Sequence, residues 1–185
     1  MTIPLYYASE DDFQQFRSTL KLQACPHCGK TGTLNLHGHL YGYSDRDGSP
    51  DIPRGHRLLC SNRRHRRPGC GKTVSLWLSH FLRGFILTLH TLWLFLAGIL
   101  AGRTKADAFR QAETILHPTA AYRIVRRMAL AQGSLRATLA RKIPPPEPPQ
   151  SASPLAATLA HLQAAFPHAR CPPAEYQRLF GAFPL

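Results

Sequence analysis

The sequence predicts an α+β fold in which a small β-rich module is followed by a helical domain. Three observations support this prediction. Two cysteine pairs flank segments with the alternation of strands. The residues after them show helical length and periodicity, and a proline-rich run sets off a short final segment. With 185 residues, the chain suffices for one compact domain or two small ones.

Four of the five cysteines fall into two turns. The first turn contains Cys25 and Cys28, the second contains Cys60 and Cys70, and a Gly-Lys pair follows the last cysteine of each. The start at Met1 lacks a basic-then-apolar signal sequence, so we expect a reducing cytosol. Paired cysteines there favour a metal over a disulfide.

A zinc ion would allow residues 25–80 to fold as a ribbon. This module is rich in glycine, arginine and polar residues, and it cannot bury enough apolar surface by itself. A tetrahedral ion held by Cys25, Cys28, Cys60 and Cys70 would supply the missing stability. Nine residues separate Cys60 from Cys70, so His65 between them stays open as an alternative ligand.

The strands of this module are predicted over residues 33–37, 41–43, 56–59 and 73–77, with a loop over residues 44–55. Residues 1–24 are expected to add one bracing helix, because Ser9 begins a capping box and apolar side chains then recur at helical spacing.

Basic residues are concentrated in the middle of the chain. Lys and Arg number 23 against 10 Asp and Glu, a net charge of +13. Residues 25–84 and 85–143 hold 19 of these cations, which indicates a polyanionic partner such as nucleic acid or an anionic membrane surface. The second cysteine turn supplies candidate phosphate contacts, with a solvated charged loop as the alternative: Arg63, Arg64, Arg66, Arg67 and Lys72.

Residues 81–143 are predicted to form a helical domain of the helix-turn-helix type. A short helix over residues 104–112 precedes a turn over 113–117 and a second helix with Pro118 at its first position. Ala121, Ile124, Val125, Met128 and Ala129 would fill one apolar arc of that helix. The opposite arc would enter the major groove, unless it is a solvated basic surface. The candidate DNA contacts of this domain are Arg103, Lys105, Tyr122, Arg123, Arg126 and Arg127.

Residues 84–102 contain no charged side chain, and nineteen residues are just enough to span a bilayer. A membrane-anchored zinc-ribbon protein is therefore an alternative to a soluble one. Thr88, His90 and Thr91 lie near the middle of this stretch, and basic residues flank both ends, which favours a buried helix instead.

Residues 144–154 are predicted to be a stiff proline-rich linker, and residues 155–185 a tail with two apolar patches. The tail could dock on another protein or fold back on its own domain. Cys171 is expected to be an ordinary small thiol.

The order of these motifs resembles a known family. Cys-Pro-His-Cys-Gly, His-Gly, Arg-Leu-Leu-Cys, Gly-Cys-Gly-Lys-Thr-Val-Ser and Ala-Tyr-Arg-Ile-Val-Arg-Arg follow one another as in the N-terminal regions of bacterial insertion-sequence transposases and their domesticated relatives. The resemblance covers residues 25–139. It implies zinc on the four cysteines and a DNA-reading helix around residues 122–127.

The chain departs from that family after Lys142. Transposases of this kind continue into a catalytic domain with three metal-binding carboxylates, whereas here 43 residues follow, with Glu147 and Glu175 as their only acids. We therefore expect a non-catalytic protein that binds double-stranded DNA in the bacterial cytoplasm, at the nucleoid, as a transposition accessory subunit or regulator. A nuclease using His37, His39 or His65 would need an open metal position, which four thiolates do not leave.

Overall fold

The computed structural model describes residue 3 and residues 5–61, 69–147 and 153–185. The chain has an α+β fold, as predicted. Its strands are β1 (Tyr6–Tyr7), β2 (Leu34–Gly42), β3 (Ile52–Cys60) and β4 (Thr73–Leu78). Its helices are α1 (Glu10–Ser18), α2 (Leu89–Leu100), α3 (Lys105–Gln111), α4 (Thr119–Leu139), α5 (Pro154–Ala165) and α6 (Pro172–Phe180), and a 3-10 turn over Leu20–Leu22 follows α1.

The four strands form one sheet in the order β1-β4-β3-β2. The pairs β2–β3 and β3–β4 are antiparallel, while β1 runs parallel to β4 and was missing from the prediction. The predicted loop over residues 44–55 is too long, because β3 already begins at Ile52. Pro53 is tolerated there because β4 pairs with β3 only from Gly55 onward, so no ladder hydrogen bond to β4 is lost.

Helix α1 covers one face of the sheet and corresponds to the bracing helix predicted within residues 1–24. The Ser9 side chain accepts a hydrogen bond from the Asp12 backbone N–H at 3.1 Å and caps the helix. Phe13 is fully buried, and its ring stacks on His56 of β3 with the centroids 3.5 Å apart. Together with Leu34 and Leu58, these contacts form a small core beneath the helix.

The helix that forms within the uncharged residues 84–102 is shorter than that stretch. Only Leu89–Leu100 is helical, and the Thr88 side chain caps this helix by accepting from the Thr91 N–H. Phe95 is fully buried and meets Phe109 of α3 edge-on at 5.1 Å. Among the helices that the structure describes, none combines the length and the apolar character needed to cross a membrane.

Helix α4 begins one residue later than predicted, since Pro118 is its N-cap and Thr119 its first residue. Its buried arc is also narrower, because Val125 is half-buried and Ala129 is exposed. At about 100° per residue, Ala129 lies about 80° round the helix from Ala121, on the side away from Ile124. The buried residues of α4 therefore lie on the Ile124 side of Ala121: Ala120, Ala121, Ile124, Met128, Leu135 and Leu139.

The C-terminal tail folds back on the helical domain. Pro154 belongs to α5 rather than to the linker, and the Ser153 side chain caps the helix. Leu159 and Leu162 are buried in the core that α2, α3 and α4 share. Of the two possibilities for the tail, folding back accounts for most of its apolar residues, while Leu179 and Phe180 stay partly exposed.

Arg54 joins the sheet to the helical domain. Its side chain is 4% exposed, and its guanidinium donates to the carbonyl oxygens of Tyr43 at 2.6 Å, Ile86 at 3.0 Å and Phe85. It also lies over the Phe81 ring, 4.7 Å from the centroid. One buried cation therefore holds the segment that leads into α2 against the hairpin of β2 and β3.

Asp45 and Gln177 complete this joint. The Asp45 carboxylate accepts from the Thr88 backbone N–H at 2.7 Å, at the start of α2, and its carbonyl accepts from the Ile115 N–H at 2.8 Å. Gln177 of α6 is buried and donates to the carbonyl of Ser79 at 2.9 Å. These hydrogen bonds hold the sheet, the start of α2 and helix α6 of the tail in one arrangement.

We expect Arg54→Ala to lower the free energy of unfolding by at least about 2 kcal/mol, because buried carbonyls would lose their donor. Urea denaturation followed by circular dichroism measures this. Arg57→Ala, at an exposed position of the same strand, should change the free energy by about 0.5 kcal/mol or less. Equal effects of the two substitutions would contradict the role given to Arg54.

Candidate metal centre and basic surface

The four cysteine sulfurs meet at one end of the sheet. The Sγ atoms of Cys25 and Cys70 are 3.8 Å apart, those of Cys28 and Cys60 are 3.7 Å apart, and all four lie within 4.8 Å of one another. Four ligands at about 2.3 Å from a tetrahedral zinc ion are about 3.8 Å apart, whereas a disulfide needs about 2.05 Å. The four cysteines could therefore hold a metal ion such as zinc.

The first cysteine turn is closed by two backbone hydrogen bonds. The Gly29 N–H donates to the Cys25 carbonyl at 2.8 Å, and the Cys25 N–H donates to the Lys30 carbonyl at 2.9 Å. Gly29 has a φ of 71°, a left-handed conformation that favours glycine. This turn directs the Cys28 side chain back toward Cys25.

The second cysteine turn repeats these bonds across its long insertion. The Gly71 N–H donates to the Cys60 carbonyl at 2.9 Å, the Cys60 N–H donates to the Lys72 carbonyl at 2.9 Å, and Gly71 has a φ of 72°. Cys60 and Cys70 thus occupy the places that Cys25 and Cys28 hold in the first turn. The nine intervening residues leave the ligand geometry of a two-residue spacing intact.

Gly69 closes the base of the insertion. A Cβ atom at this position would lie 2.5 Å from the Cys60 carbonyl oxygen and 2.8 Å from the Ser61 nitrogen, so only glycine fits. The Ser61 N–H donates to the Thr33 carbonyl at 2.8 Å. Both ends of the insertion are therefore fixed beside the cysteines.

The four thiols differ in their surroundings. Cys25 and Cys60 are buried, Cys28 is half-buried and Cys70 is exposed. Burial raises the pKa of the Cys25 thiol to about 11. Burial also raises the pKa of Cys60, but Thr33 Oγ1 at 3.2 Å and the Cys70 N–H at 3.4 Å outweigh it and lower that pKa to about 7. A bound dication would favour the thiolate form of all four.

His27, His37 and His39 do not join this cluster. In the part of the chain that the structure describes, the four cysteines form the one group of potential ligands close enough to share an ion. His27 turns toward the Thr73 carbonyl, 3.3 Å from its Nε2, and His37 and His39 are exposed on β2. His65 lies outside the described residues, as do Arg63, Arg64, Arg66 and Arg67.

The remaining candidate contacts form an exposed basic face on α4 and the start of α3. Arg103, Lys105, Tyr122, Arg123, Arg126 and Arg127 are all exposed, as is Lys72 beside the cysteines. The Lys105 ammonium lies 5.5 Å from the centroid of the Tyr122 ring, and the Arg127 guanidinium lies 4.9 Å from that of Phe85. Within the described ranges, none of these cations is in ion-pair distance of a carboxylate.

Several residues around these sites gave no signal in the sequence. Thr33, Arg54 and Asp45 act on partners far along the chain, and no local motif marks them. Gly69 did carry a signal, because Pro-Gly directly before a cysteine indicates a tight turn.

No protein-family model, curated protein or solved structure matches this chain.

We expect the purified protein to contain one zinc ion per chain and Cys28→Ser to lose it, because a serine hydroxyl replaces one of four thiolate ligands. Elemental analysis measures the metal, and amide hydrogen exchange of β2, β3 and β4 measures the accompanying loss of order. Cys171→Ser is the matched control, since Cys171 lies in the helical core, and it should retain the zinc. A folded wild-type protein without metal would contradict the assignment.

Proposed function

We propose that this protein is a zinc-dependent DNA-binding protein, related to the DNA-binding regions of insertion-sequence transposases. It acts without catalysis of its own, as a transposition accessory subunit or regulator in the bacterial cytoplasm, at the nucleoid. One observation carries the proposal: four thiols close enough together to hold a zinc ion are joined through the hydrogen bonds of Arg54 to a helical domain with a basic face on α4 and the start of α3. Among the described residues, the cations of that face at positions 103, 105, 123, 126 and 127 have no carboxylate within ion-pair distance.

The sheet supports the zinc-ribbon part of the proposal. Strand β2 follows the first cysteine turn, β3 ends at Cys60, and β4 begins three residues after Cys70. Two equivalent turns with antiparallel strands between them are the elements of a ribbon. Four thiolates close the coordination sphere and leave no position for substrate water, which favours a structural role for the metal.

The helices support the helix-turn-helix part. Helices α3 and α4 are joined by the turn over residues 112–118, and the apolar helix α2 packs behind α3 through Phe95 and Phe109. The N-terminal half of α4 presents Arg123, Arg126 and Arg127 to solvent. In the major groove, one or another of these arginines can contact O6 and N7 of guanine, while the remaining cations of the face contact phosphates.

We expect affinity for duplex DNA to fall steeply with salt concentration, since phosphate contacts release counterions. Alanine at a base-reading residue among Arg123, Arg126 and Arg127 should cost about 1–3 kcal/mol and relax specificity at one base pair. Alanine at a phosphate-contacting residue such as Lys105 should weaken all sequences alike and reduce the salt slope by about 1. Selected target sequences and a salt series, read by fluorescence anisotropy, measure both effects.

The matched control is Arg136→Ala, at an exposed position in the last turn of the same helix. It should leave specificity unchanged. If the triple variant with alanine at residues 123, 126 and 127 binds as the wild type does, α4 is not the reading helix.

A further inference from the structure

A cavity of about 240 Å³ lies beside the basic face of α4. Phe85 and Ile86 form one wall, and Ala120 and Ile124 of α4 form another. The space is far larger than the roughly 30 Å³ of one water molecule and approaches the lower limit of ligand pockets, about 300 Å³. It therefore has room for one small ring system rather than for an extended ligand.

The charge at the cavity is positive. Arg123 and Arg127 line it, one turn apart on α4, and no acidic residue of the described ranges does so. Residues four apart on a helix are neighbours, so the two guanidiniums can act on one ligand. The Arg127 guanidinium lies over the Phe85 ring and offers a flat cationic surface next to the apolar walls. The complementary ligand is a flat ring that carries negative charge on its substituents.

The wall formed by Phe85 and Ile86 is fixed from behind. Their carbonyl oxygens accept from the buried Arg54 guanidinium, and Asp45 accepts from the N–H of Thr88 two residues later. The cavity is therefore held open by the joint between the sheet and the helices. A preformed space of this kind costs the ligand little ordering of the protein.

We propose that the cavity binds one unpaired base, extruded from the DNA that the basic face contacts, with its neighbouring phosphates on Arg123 and Arg127. This inference rests on the proposed function, because the basic face brings the DNA to the cavity. Bases stack on aromatic rings and on arginine planes, and arginine is suited to phosphate. Extrusion is least costly for a base that is already unpaired, so the protein should favour DNA with a mismatched or bulged nucleotide.

The test compares three DNAs with the full-length zinc-bound protein. They are a paired 20-mer duplex, the same duplex with one bulged adenine, and the same bulge with an abasic residue. We expect the adenine bulge to bind at least about fivefold more tightly than the abasic bulge, because only the former supplies a ring to stack. The abasic duplex controls for flexibility, since both bulges bend the DNA.

Ala120→Met should abolish this preference by filling the cavity, while binding to the paired duplex stays unchanged. Ala129→Met is the matched control, because Ala129 is exposed on the same helix and does not line the cavity. Ile86→Trp fills the cavity from the opposite wall. If Ala120→Met loses binding to the paired duplex, Ile86→Trp tests instead whether filling the cavity abolishes the preference for the adenine bulge.

The outcomes separate the two proposals. Equal affinity for the adenine and abasic bulges would overturn the base site but leave DNA binding intact. A preference for the adenine bulge that survives both cavity-filling variants would also overturn the base site and leave DNA binding intact. Tight binding of an acidic peptide with one tryptophan in the cavity would likewise overturn the base site. No affinity for any of the three DNAs would overturn the proposed function and this inference with it.

Discussion

Three antiparallel strands lead to or from the four cysteine sulfurs, and the small core beside them includes two of these residues. Cys25 and Cys60 are as deeply buried as Leu58 and Phe13 of the same cluster. A sheet with so few buried side chains has little hydrophobic stabilisation of its own. Two of the separations between the sulfurs, 3.8 and 3.7 Å, match tetrahedral coordination, so a bound metal would tie the end of β3 and the segment before β4 to the turn before β2. The order of the sheet therefore depends on the contacts at this point.

The helical domain depends on the sheet in turn. The buried Arg54 is stabilised by carbonyl oxygens and by the Phe81 ring rather than by a direct ion pair, and burial lowers the pKa of its guanidinium while Asp45 opposes this. Removing a charge from water is costly unless such partners are in place. The same contacts fix residues 85 and 86, which line the cavity beside α4. The geometry of the basic face is thus coupled to that of the cysteine end through one hydrogen-bonded joint.

Local signals in the sequence predicted the local structure well. Ser9 caps a helix where its motif indicated, and the repeated Gly-Lys after Cys28 and Cys70 marked two turns that proved equivalent. Features that depend on distant partners were not predicted from the sequence. They include the strand at Tyr6–Tyr7 and the length of α2. A two-residue strand has no alternation to recognise, and a uniformly apolar run does not reveal where a helix begins. The cysteine cluster could be predicted, whereas the DNA contacts stay predictions.

The insertion between Cys60 and Cys70 shows how fold and function can be separated in this chain. Its ends meet at Ser61 and Gly69, and the turn beneath keeps the hydrogen bonds of the shorter turn at Cys25. Loop closure costs little for each added residue, so the fold tolerates the length of the insertion. The insertion carries four arginines, at 63, 64, 66 and 67, outside the described residues. The proposed affinity for a polyanion would account for them, because an insertion that is fixed at both ends has less conformational freedom to lose on binding phosphate than a free chain has.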